Sequence, residues 1–149
     1  MSEFNPKIVA FCCNNCAFAA ADLAGNLRLS YPANVRIVRV PCTGKVDVLY
    51  LIAALEKGSD GVMVVGCEEG SCHYVNGNLR ARKRLEHLKQ ELNKIGVAEQ
   101  RVEMFNLSAA QAGRFAEYCR EFTQKIQKIG PVFPGETNYY PEDFQVLNF

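Results

Sequence analysis

Seven cysteines occur in this chain of 149 residues. An odd number of cysteines, in a chain long enough to bury its own core, argues against a disulfide framework and favours metal or redox chemistry. Cys13 and Cys16 have the spacing C-x-x-C, Cys67 and Cys72 have the spacing C-x4-C, and Cys42 stands between the two pairs. Thiolates grouped in this way are ligands for zinc and for iron–sulfur clusters.

Composition restricts the class of protein. The chain is 48% hydrophobic and 22% charged with a formal net charge of +1, which is typical of a globular protein with no general attraction for nucleic acid or anionic membranes. No apolar run reaches the roughly 20 residues of a membrane helix, and the first seven residues do not resemble a signal peptide. We therefore expect a cytoplasmic protein, since the reducing cytoplasm disfavours structural disulfides.

Short apolar runs alternate with helical patterns over the first 130 residues, which predicts βαβ units around a parallel sheet. Glycines at 58, 96 and 130 follow three of the helical patterns, where a left-handed closing residue is favoured. Ser108 and Gln111 have the spacing of a capping box for the last helix. The predicted strands are 7–13, 35–42, 61–67 and 101–107, and the predicted helices are 16–29, 45–57, 74–95 and 109–129.

The strand sequences also predict the order of the sheet. Segments 8–11 and 62–65 are apolar on both faces, as buried central strands are, whereas 35–40 and 102–106 are interrupted by polar residues, as edge strands tolerate. Right-handed crossovers then favour the order 2-1-3-4. We predict a flavodoxin-like, three-layer α/β fold with a four-stranded parallel sheet.

Three of the predicted strands end in cysteine, at Cys12-Cys13, Cys42 and Cys67. The carboxyl ends of parallel strands share one edge of the sheet, where open α/β folds bind their ligands. Neighbouring residues on a strand point to opposite faces, so only one of Cys12 and Cys13 reaches that site easily, and Cys13 is favoured because it begins the C-x-x-C. Cys119 lies on the apolar stripe of the last helix and is interpreted as a core residue.

Three other kinds of site remain as alternatives. Four thiolates also suit a structural zinc ion. Cys13 and Cys16 alone would suit a thiol–disulfide oxidoreductase, although that leaves the other three cysteines without a role. Thr43-Gly44-Lys45 is similar to the end of a phosphate-binding loop, but Arg39 stands where that motif requires glycine. The cysteine spacings match neither common ferredoxin pattern, so they do not define a cluster type.

Three further features bear on partners. The helix 45–57 is apolar nearly all round, which predicts part of a subunit interface, with deep burial within the monomer as the alternative. The basic run on the third helix forms either a solvated face, a docking patch for an acidic partner, or a counter-charge near an anionic cluster. It comprises Arg80, Arg82, Lys83 and Arg84. The segment 131–149, with five aromatic residues, is either a frayed end or a partner-contacting extension.

The apolar stripe of the third helix is predicted to comprise Val75, Leu79, Leu85, Leu88, Leu92 and Ile95.

Four blocks of sequence carry a resemblance to a known family. They are FCCNNC at 11–16, ADLAG at 21–25, RVPCTGK at 39–45, and GCEEGSCHY at 66–74 followed by Gly77-Asn78. Together they resemble the delta, iron–sulfur subunit of the methyl-viologen-reducing hydrogenase, and the resemblance extends from about residue 7 to residue 130. Asn15 stands where we expect an aromatic residue, and the segment after Gly130 lies outside the pattern.

The resemblance implies a function. Members of that family carry one [2Fe–2S] cluster and dock onto the flavoprotein subunit of heterodisulfide reductase or a relative of it. They relay electrons between a hydrogenase, a formate dehydrogenase or another redox module and an electron-bifurcating flavin. It also implies an iron–sulfur domain at 1–130 and a separate extension at 131–149. The motif cysteines are Cys13, Cys16, Cys42, Cys67 and Cys72, of which four are enough to hold the cluster.

Overall fold

A computed structural model describes residues 4–68, 72 and 76–132 of the chain. Its strands are β1 (Ile8–Cys13), β2 (Val35–Val40), β3 (Gly61–Cys67) and β4 (Val102–Leu107). Its helices are α1 (Ala17–Asn26), α2 (Val48–Glu56), α3 (Gly77–Lys94) and α4 (Ala112–Ile129), with short 3-10 turns at Thr43–Lys45 and Glu99–Arg101. All strand pairs are parallel and the order is β2-β1-β3-β4, so the predicted fold is confirmed.

The sheet separates two apolar layers. Helices α1 and α4 cover one face, where Phe115 and Phe122 pack on the alternate residues of β1 and β3. Helices α2 and α3 cover the other face, where Leu51 and Leu88 pack on the remaining residues of the same strands. Every residue of β1 and β3 is buried, whereas β2 and β4 are partly accessible, as predicted for central and edge strands.

The two helices that follow β1 and β2 begin later, or end earlier, than predicted. Helix α1 ends at Asn26. Arg28 then adopts a positive φ of 57°, which is incompatible with a right-handed α-helix. Helix α2 begins only at Val48, because the Asp47 side chain caps it by accepting a 2.9 Å hydrogen bond from the Leu49 N–H. The residues predicted as its first turn form the separate 3-10 turn Thr43–Lys45.

The last two helices also differ from prediction at their ends. Helix α3 is described from Gly77, so Val75 of the predicted stripe lies outside the described residues. Its buried stripe comprises Leu85, Leu88 and Leu92, but Leu79 and Ile95 are 39% and 73% exposed, and including these two was wrong. Helix α4 begins at 112, three residues later than predicted. The Ser108 N–H donates to the Gln111 side chain at 2.9 Å as in a capping box, but this contact lies before the helix, and Gln111 makes no side-chain cap bond to α4. The glycines at 58, 96 and 130 have the positive φ predicted for closing residues.

The outer face of α2 is apolar and accessible. Leu51, Ala54 and Leu55 pack into the core, while Leu49 on the opposite side is 70% exposed. The predicted subunit interface on this helix stays a prediction. None of the described helices combines the length and the hydropathy needed to cross a membrane.

Candidate metal centre

Three of the predicted ligand cysteines form a triangle of sulfur atoms. Cys13 ends β1, Cys67 ends β3, and Cys16 precedes the first residue of α1. The three sulfur atoms all lie within 4.8 Å of one another, and those of Cys13 and Cys67 are 3.8 Å apart. Cys13 and Cys67 are buried and Cys16 is partly accessible. We call these residues the cysteine triangle.

The other two predicted ligands form a pair beside the triangle. Cys42 follows β2 and Cys72 follows β3, and their sulfur atoms are 4.0 Å apart. Because all five cysteines lie at or within a few residues of the carboxyl ends of strands, they lie along one edge of the sheet, which we call the cysteine rim. None of the seven cysteines of the chain forms a disulfide.

The sulfur separations suit a tetrahedral metal. Two thiolates bound to one tetrahedral ion at about 2.3 Å lie about 3.8 Å from each other. The distance between Cys13 and Cys67 has this value, and the distance between Cys42 and Cys72 is 4.0 Å. The donor set therefore fits two metal ions with two thiolates each, with Cys16 as a fifth sulfur close to the first pair.

Backbone amides support a sulfur atom in each group. The N–H of Ala17, in the first turn of α1, donates to the Cys13 sulfur at 3.3 Å, and the N–H of Gly44 donates to the Cys42 sulfur at 3.4 Å. Hydrogen bonds of this kind stabilise thiolates and lower their pKa values, and they raise the reduction potential of iron–sulfur clusters.

Burial nevertheless raises the pKa of the thiols predicted as ligands. Desolvation is the main cause for Cys13, Cys16 and Cys42, and the backbone N–H donors oppose it only in part at Cys13 and Cys42. The pKa of Cys16 is raised further by Cys72, and that of Cys42 by Cys13, so the triangle and the pair lie within electrostatic reach of each other. Cations bound among these thiols would remove the penalty, because they favour the thiolate form.

Two glycines bring the polypeptide unusually close to the pair. A Cβ atom at Gly77 would lie 2.1 Å from the Cys42 sulfur and 3.3 Å from the Cys72 sulfur, and one at Gly44 would lie 2.9 Å from the Cα of Gly77. Gly44 therefore serves the backbone contact between the Thr43–Lys45 turn and the start of α3. This contact gives Thr43-Gly44-Lys45 a structural role and leaves no need for the phosphate-loop interpretation.

Two asparagines hold the backbone of Cys67. The side-chain amides of Asn78 and Asn106 both donate to the Cys67 carbonyl oxygen, at 3.0 and 2.7 Å, and Asn78 also donates to the carbonyl of Glu68 at 2.9 Å. Arg82 in turn donates to the Asn106 side chain at 2.7 Å. The sequence did not predict the role of Asn106, for which a polar residue at the end of β4 was the only indication. Asn78 entered the sequence analysis only as part of a motif.

The basic run on α3 is only partly a solvated face. Arg84 donates to the carbonyl oxygens of Gly44 and Val46, so it fixes the turn that carries Cys42. With Arg82 bound to Asn106, two of the four residues are partly buried structural groups. Arg80 and Lys83 are exposed. Arg82 and Arg84 therefore also hold backbone and side-chain groups near the cysteines, so they are not simply a solvated face. The docking patch and the counter-charge stay predictions.

A third arginine supports the turn between Cys13 and Cys16. Arg39, on edge strand β2, donates through Nε to the Asn14 side chain, and its guanidinium lies 4.5 Å from the centre of the Phe18 ring. The turn is also held by a 2.8 Å hydrogen bond from the Asn14 N–H to the Val40 carbonyl. Arg39 thus places a positive charge at the accessible side of the triangle.

The remaining cysteines lie in the core. Cys12 and Cys119 have no accessible surface and pack between the sheet and the layer of α1 and α4. Burial raises the pKa of Cys12 well above its usual value and that of Cys119 to about 12. Of the neighbouring residues Cys12 and Cys13, only Cys13 lies in the triangle.

Comparisons with known proteins find a matching family and several similar chains. The family described as methyl-viologen-reducing hydrogenase, delta subunit, matches residues 8–130. The chain is 49% identical over 127 residues to the vhu iron–sulfur subunit of the F420-non-reducing hydrogenase of Methanocaldococcus jannaschii, covering 85% of this chain and 95% of that protein. It is 44% identical over 129 residues to the iron–sulfur subunit of the F420-non-reducing hydrogenase of Archaeoglobus profundus, covering 87% and 94%.

A second kind of relative is much longer. The chain is 42% identical over 127 residues to a subunit of the ferredoxin/F420H2-dependent CoB-CoM heterodisulfide reductase of Methanosarcina acetivorans. The match covers 85% of this chain but 16% of that protein. The corresponding ferredoxin:CoB-CoM heterodisulfide reductase protein of Methanosarcina mazei matches in the same way, at 40% identity and 16% of its length. In these two proteins a similar domain is one part of a longer polypeptide.

Proposed function

The chain belongs to the family of the methyl-viologen-reducing hydrogenase delta subunit, and we propose from this premise that it is an electron-transfer subunit holding one [2Fe–2S] cluster at the cysteine rim. The observation that carries the proposal is the sulfur geometry: a triangle and a pair of thiols lie on one edge of the sheet at separations suited to tetrahedral iron. Relatives named iron–sulfur subunits support iron over zinc.

Four cysteines provide the ligands in this proposal. Cys13 and Cys67 would bind one iron, and Cys42 and Cys72 the other, because the sulfur atoms of each pair already lie about as far apart as two thiolates on one tetrahedral ion. Cys16 would remain beside the cluster as the fifth motif cysteine. The cluster would supply a one-electron carrier, and no residue of the chain would need to act as an acid, a base or a nucleophile.

The surrounding residues would hold the ligand cysteines in position and influence the reduction potential of the cluster. The N–H groups of Ala17 and Gly44 stabilise the bound thiolates, which favours reduction by offsetting negative charge. The asparagines at 78 and 106 keep Cys67 at the end of β3. Burial of Cys13 and Cys67 limits water on one side, whereas the partly accessible Cys16 and Cys72 leave the other side open for electron exchange.

The proposed partners are redox proteins. We propose that the chain docks onto a heterodisulfide-reductase A-like flavoprotein, because two relatives named as parts of heterodisulfide reductases contain a similar domain within one longer polypeptide. Its other partner would be a hydrogenase, since further relatives are named as hydrogenase subunits, or a formate dehydrogenase or another redox module in its place. The flavin partner would carry out electron bifurcation, and the complex would work in the cytoplasm, where thiols stay reduced.

The structure weighs against a thiol–disulfide oxidoreductase. Such enzymes need an accessible attacking cysteine whose pKa is lowered. Cys13, the first residue of the C-x-x-C, is buried, and burial raises its pKa. That activity would also leave the pair of Cys42 and Cys72 without a role. A zinc-stabilised scaffold fits the sulfur geometry equally well, so it is separated from the proposal by metal analysis.

The decisive experiment is anaerobic purification followed by analysis of the metal centre. We expect a reddish-brown protein with iron and acid-labile sulfide in equal amounts and visible charge-transfer absorption that dithionite bleaches. A colourless preparation containing zinc would contradict the proposal and support the scaffold. Two reactive thiols, no metal and reductase activity toward insulin would support the oxidoreductase instead.

A further inference from the structure

The proposed cluster needs four thiolates, whereas the cysteine rim offers five, and these five differ in accessibility. Cys13, Cys42 and Cys67 are only 2%, 7% and 3% exposed. Cys16 and Cys72 are partly accessible. An iron atom that arrives from outside the protein therefore meets one of the two accessible thiols before it can reach a buried one. Entry of the cluster has to begin at Cys16 or Cys72.

The position of Cys16 distinguishes it from Cys72. The sulfur atom of Cys16 lies within 4.8 Å of those of Cys13 and Cys67, which are the proposed ligands of the first iron. Two thiolates on one tetrahedral ion lie about 3.8 Å apart, so small side-chain rotations would let any two members of the cysteine triangle bind the same iron. Cys72 has its own place in the proposed site, as the partner of Cys42 on the second iron. Cys16 can therefore hold iron during entry and release it again without removing a ligand from the finished site.

The buried ligands of the triangle are held in place more firmly than the Cys16 side chain. The Cys13 sulfur accepts a hydrogen bond from the Ala17 N–H at 3.3 Å. Asn78 and Asn106 both donate to the Cys67 carbonyl oxygen. Cys16 occupies the N-cap position of α1, but its side chain makes no capping hydrogen bond, so capping of the helix does not restrain its rotation. A fixed destination thus lies beside a thiol that is able to turn toward solvent.

The charge at this side of the triangle favours an incoming cluster. Four thiolates outweigh the positive charge of a [2Fe–2S] core, so a thiolate-bound cluster is an anion. Arg39 is exposed, its Nε donates to the Asn14 side chain, and its guanidinium lies 4.5 Å from the centre of the Phe18 ring. These contacts fix a positive charge beside the turn that carries Cys16. Attraction of this kind raises the rate at which an anionic donor meets the site.

We propose that Cys16 is the entry ligand of the metal centre, which takes iron of a thiolate-bound [2Fe–2S] cluster from a donor and passes it to Cys13 and Cys67. In the first exchange, a bond forms between the Cys16 sulfur and iron, the bond between that iron and a donor thiolate breaks, and the Cys16 proton passes to the departing donor sulfur. The other donor thiolates are replaced in the same way. In the last exchange a ligand thiol displaces Cys16 and returns a proton to it. No electron is transferred, so no oxidant or reductant is needed.

This route gains from proximity. Once Cys16 holds the iron, the buried thiols attack from within the same molecule, at an effective concentration far above that of a thiol in solution. The inference rests on the proposed function for the identity of the cluster, and it gives a role to the fifth cysteine that the finished site does not use. Cys16 should therefore govern the rate at which the site is filled and leave the final centre unchanged.

The experiment measures cluster uptake by the full-length chain after its metal centre has been removed without oxygen. The donor is a [2Fe–2S] cluster bound by glutathione, and visible circular dichroism follows the transfer. The wild type is compared with Cys16→Ser and Cys16→Ala, and Asn15→Ser is the matched control, because it alters the same turn and keeps all the thiols of the rim. We expect the uptake rate to fall roughly tenfold or more in both Cys16 variants, with the final spectrum of the wild type. Asn15→Ser should keep the wild-type rate.

Release of the cluster provides a second measurement, which does not depend on the stability of the metal-free chain. Each exchange is reversible, so Cys16 should assist departure as well as entry. Variants filled with iron and sulfide should therefore lose their cluster to excess glutathione more slowly than the wild type.

The outcomes separate the two proposals. Uptake and release at wild-type rates in Cys16→Ala would overturn the entry role and leave the proposed function intact, and so would equal slowing in Asn15→Ser. Cys16 variants that stay colourless with excess iron and sulfide would also overturn it, because Cys16 would then be a ligand of the finished centre. A wild-type chain that takes up no cluster would reject the electron-transfer proposal together with the entry role.

Discussion

The side-chain amide of Asn106 donates a 2.7 Å hydrogen bond to the carbonyl oxygen of Cys67. This contact joins the end of edge strand β4 to the end of central strand β3, so it fixes one corner of the cysteine triangle. Asn106 is itself held by Arg82, so its orientation is determined from α3. The position of the Cys67 sulfur therefore depends on two elements that contribute no cysteine to the rim.

Removing the Asn106 amide should loosen Cys67. We expect Asn106→Ala to lower the free energy of unfolding by about 1–2 kcal/mol. The Cys67 carbonyl oxygen would lose one of its two asparagine hydrogen bonds and keep only the one from Asn78. The cluster should also be lost faster on exposure to oxygen. Asn93→Ala, at an exposed position of α3, is the matched control. Equal behaviour of the two variants in guanidinium unfolding and in the decay of visible absorption would contradict this role.

Gly77 should tolerate no side chain. A Cβ atom there would lie 2.1 Å from the Cys42 sulfur, so Gly77→Ala must displace Cys42 or the start of α3. We expect the iron content of purified Gly77→Ala to fall to a small fraction of the wild-type value. Gly113→Ala is the control, since nothing lies within 4 Å of a Cβ atom at that helical position, and alanine there should stabilise the protein by up to about 1 kcal/mol. Normal iron content in Gly77→Ala would show that the close approach is not needed.

Single substitutions of the five motif cysteines test the proposed ligand set. We expect Cys13→Ser, Cys67→Ser, Cys42→Ser and Cys72→Ser each to abolish or strongly change the visible spectrum. Cys16→Ser should retain most of the cluster, and serine is also a favourable residue at the N-cap of α1 that Cys16 occupies. A colourless Cys16→Ser protein, together with a coloured variant at one of the other four positions, would show that Cys16 is a ligand. The residue replaced in the coloured variant would then be the motif cysteine that does not bind the cluster.

Arg39 should raise the reduction potential of the centre. Its charge lies at the turn between Cys13 and Cys16, and a reduced cluster is more negative than an oxidised one. An exposed unit charge close to such a centre contributes on the order of 0.5 kcal/mol, so Arg39→Gln should lower the potential by about 20 mV. Redox titration followed by electron paramagnetic resonance measures the shift. Lys128→Gln at the far end of α4 should leave the potential unchanged, and an equal shift in both variants would exclude a local effect.

Alkaline pH should destabilise the fold through the core thiols. Burial raises the pKa of Cys119 to about 12, and it also raises that of Cys12, so both remain protonated in the folded chain at pH values where unfolded thiols ionise. Their contribution to the free energy of unfolding is complete below the ordinary thiol pKa. It is lost as pH rises above that value, by up to about 1.4 kcal/mol per pH unit for each thiol. Denaturant unfolding between pH 8 and 11 should show a shallower loss for Cys119→Ala than for the wild type. Parallel slopes would contradict this cause.

Local patterns were sufficient to predict the strands and the cysteine rim. The apolar runs at 8–13 and 61–67 are continuous, and parallel strands necessarily bring their carboxyl ends to one edge. Helix starts were less predictable. A side-chain cap by Asp47 marks the start of α2, whereas the predicted Ser108–Gln111 contact forms but lies before the start of α4. The support of Cys67 by Asn106 joins residues 39 positions apart, and no local pattern indicates such a contact.

Edge strand β2 presents Arg36 and Arg39 among four branched apolar residues. An open strand edge of that composition would otherwise invite pairing with the same strand of another molecule and growth of insoluble fibrils. Guanidinium groups on such a strand repel a second copy and remain hydrated. The arginine that supports the cysteine turn therefore also disfavours edge-to-edge pairing of this strand with the same strand of another molecule.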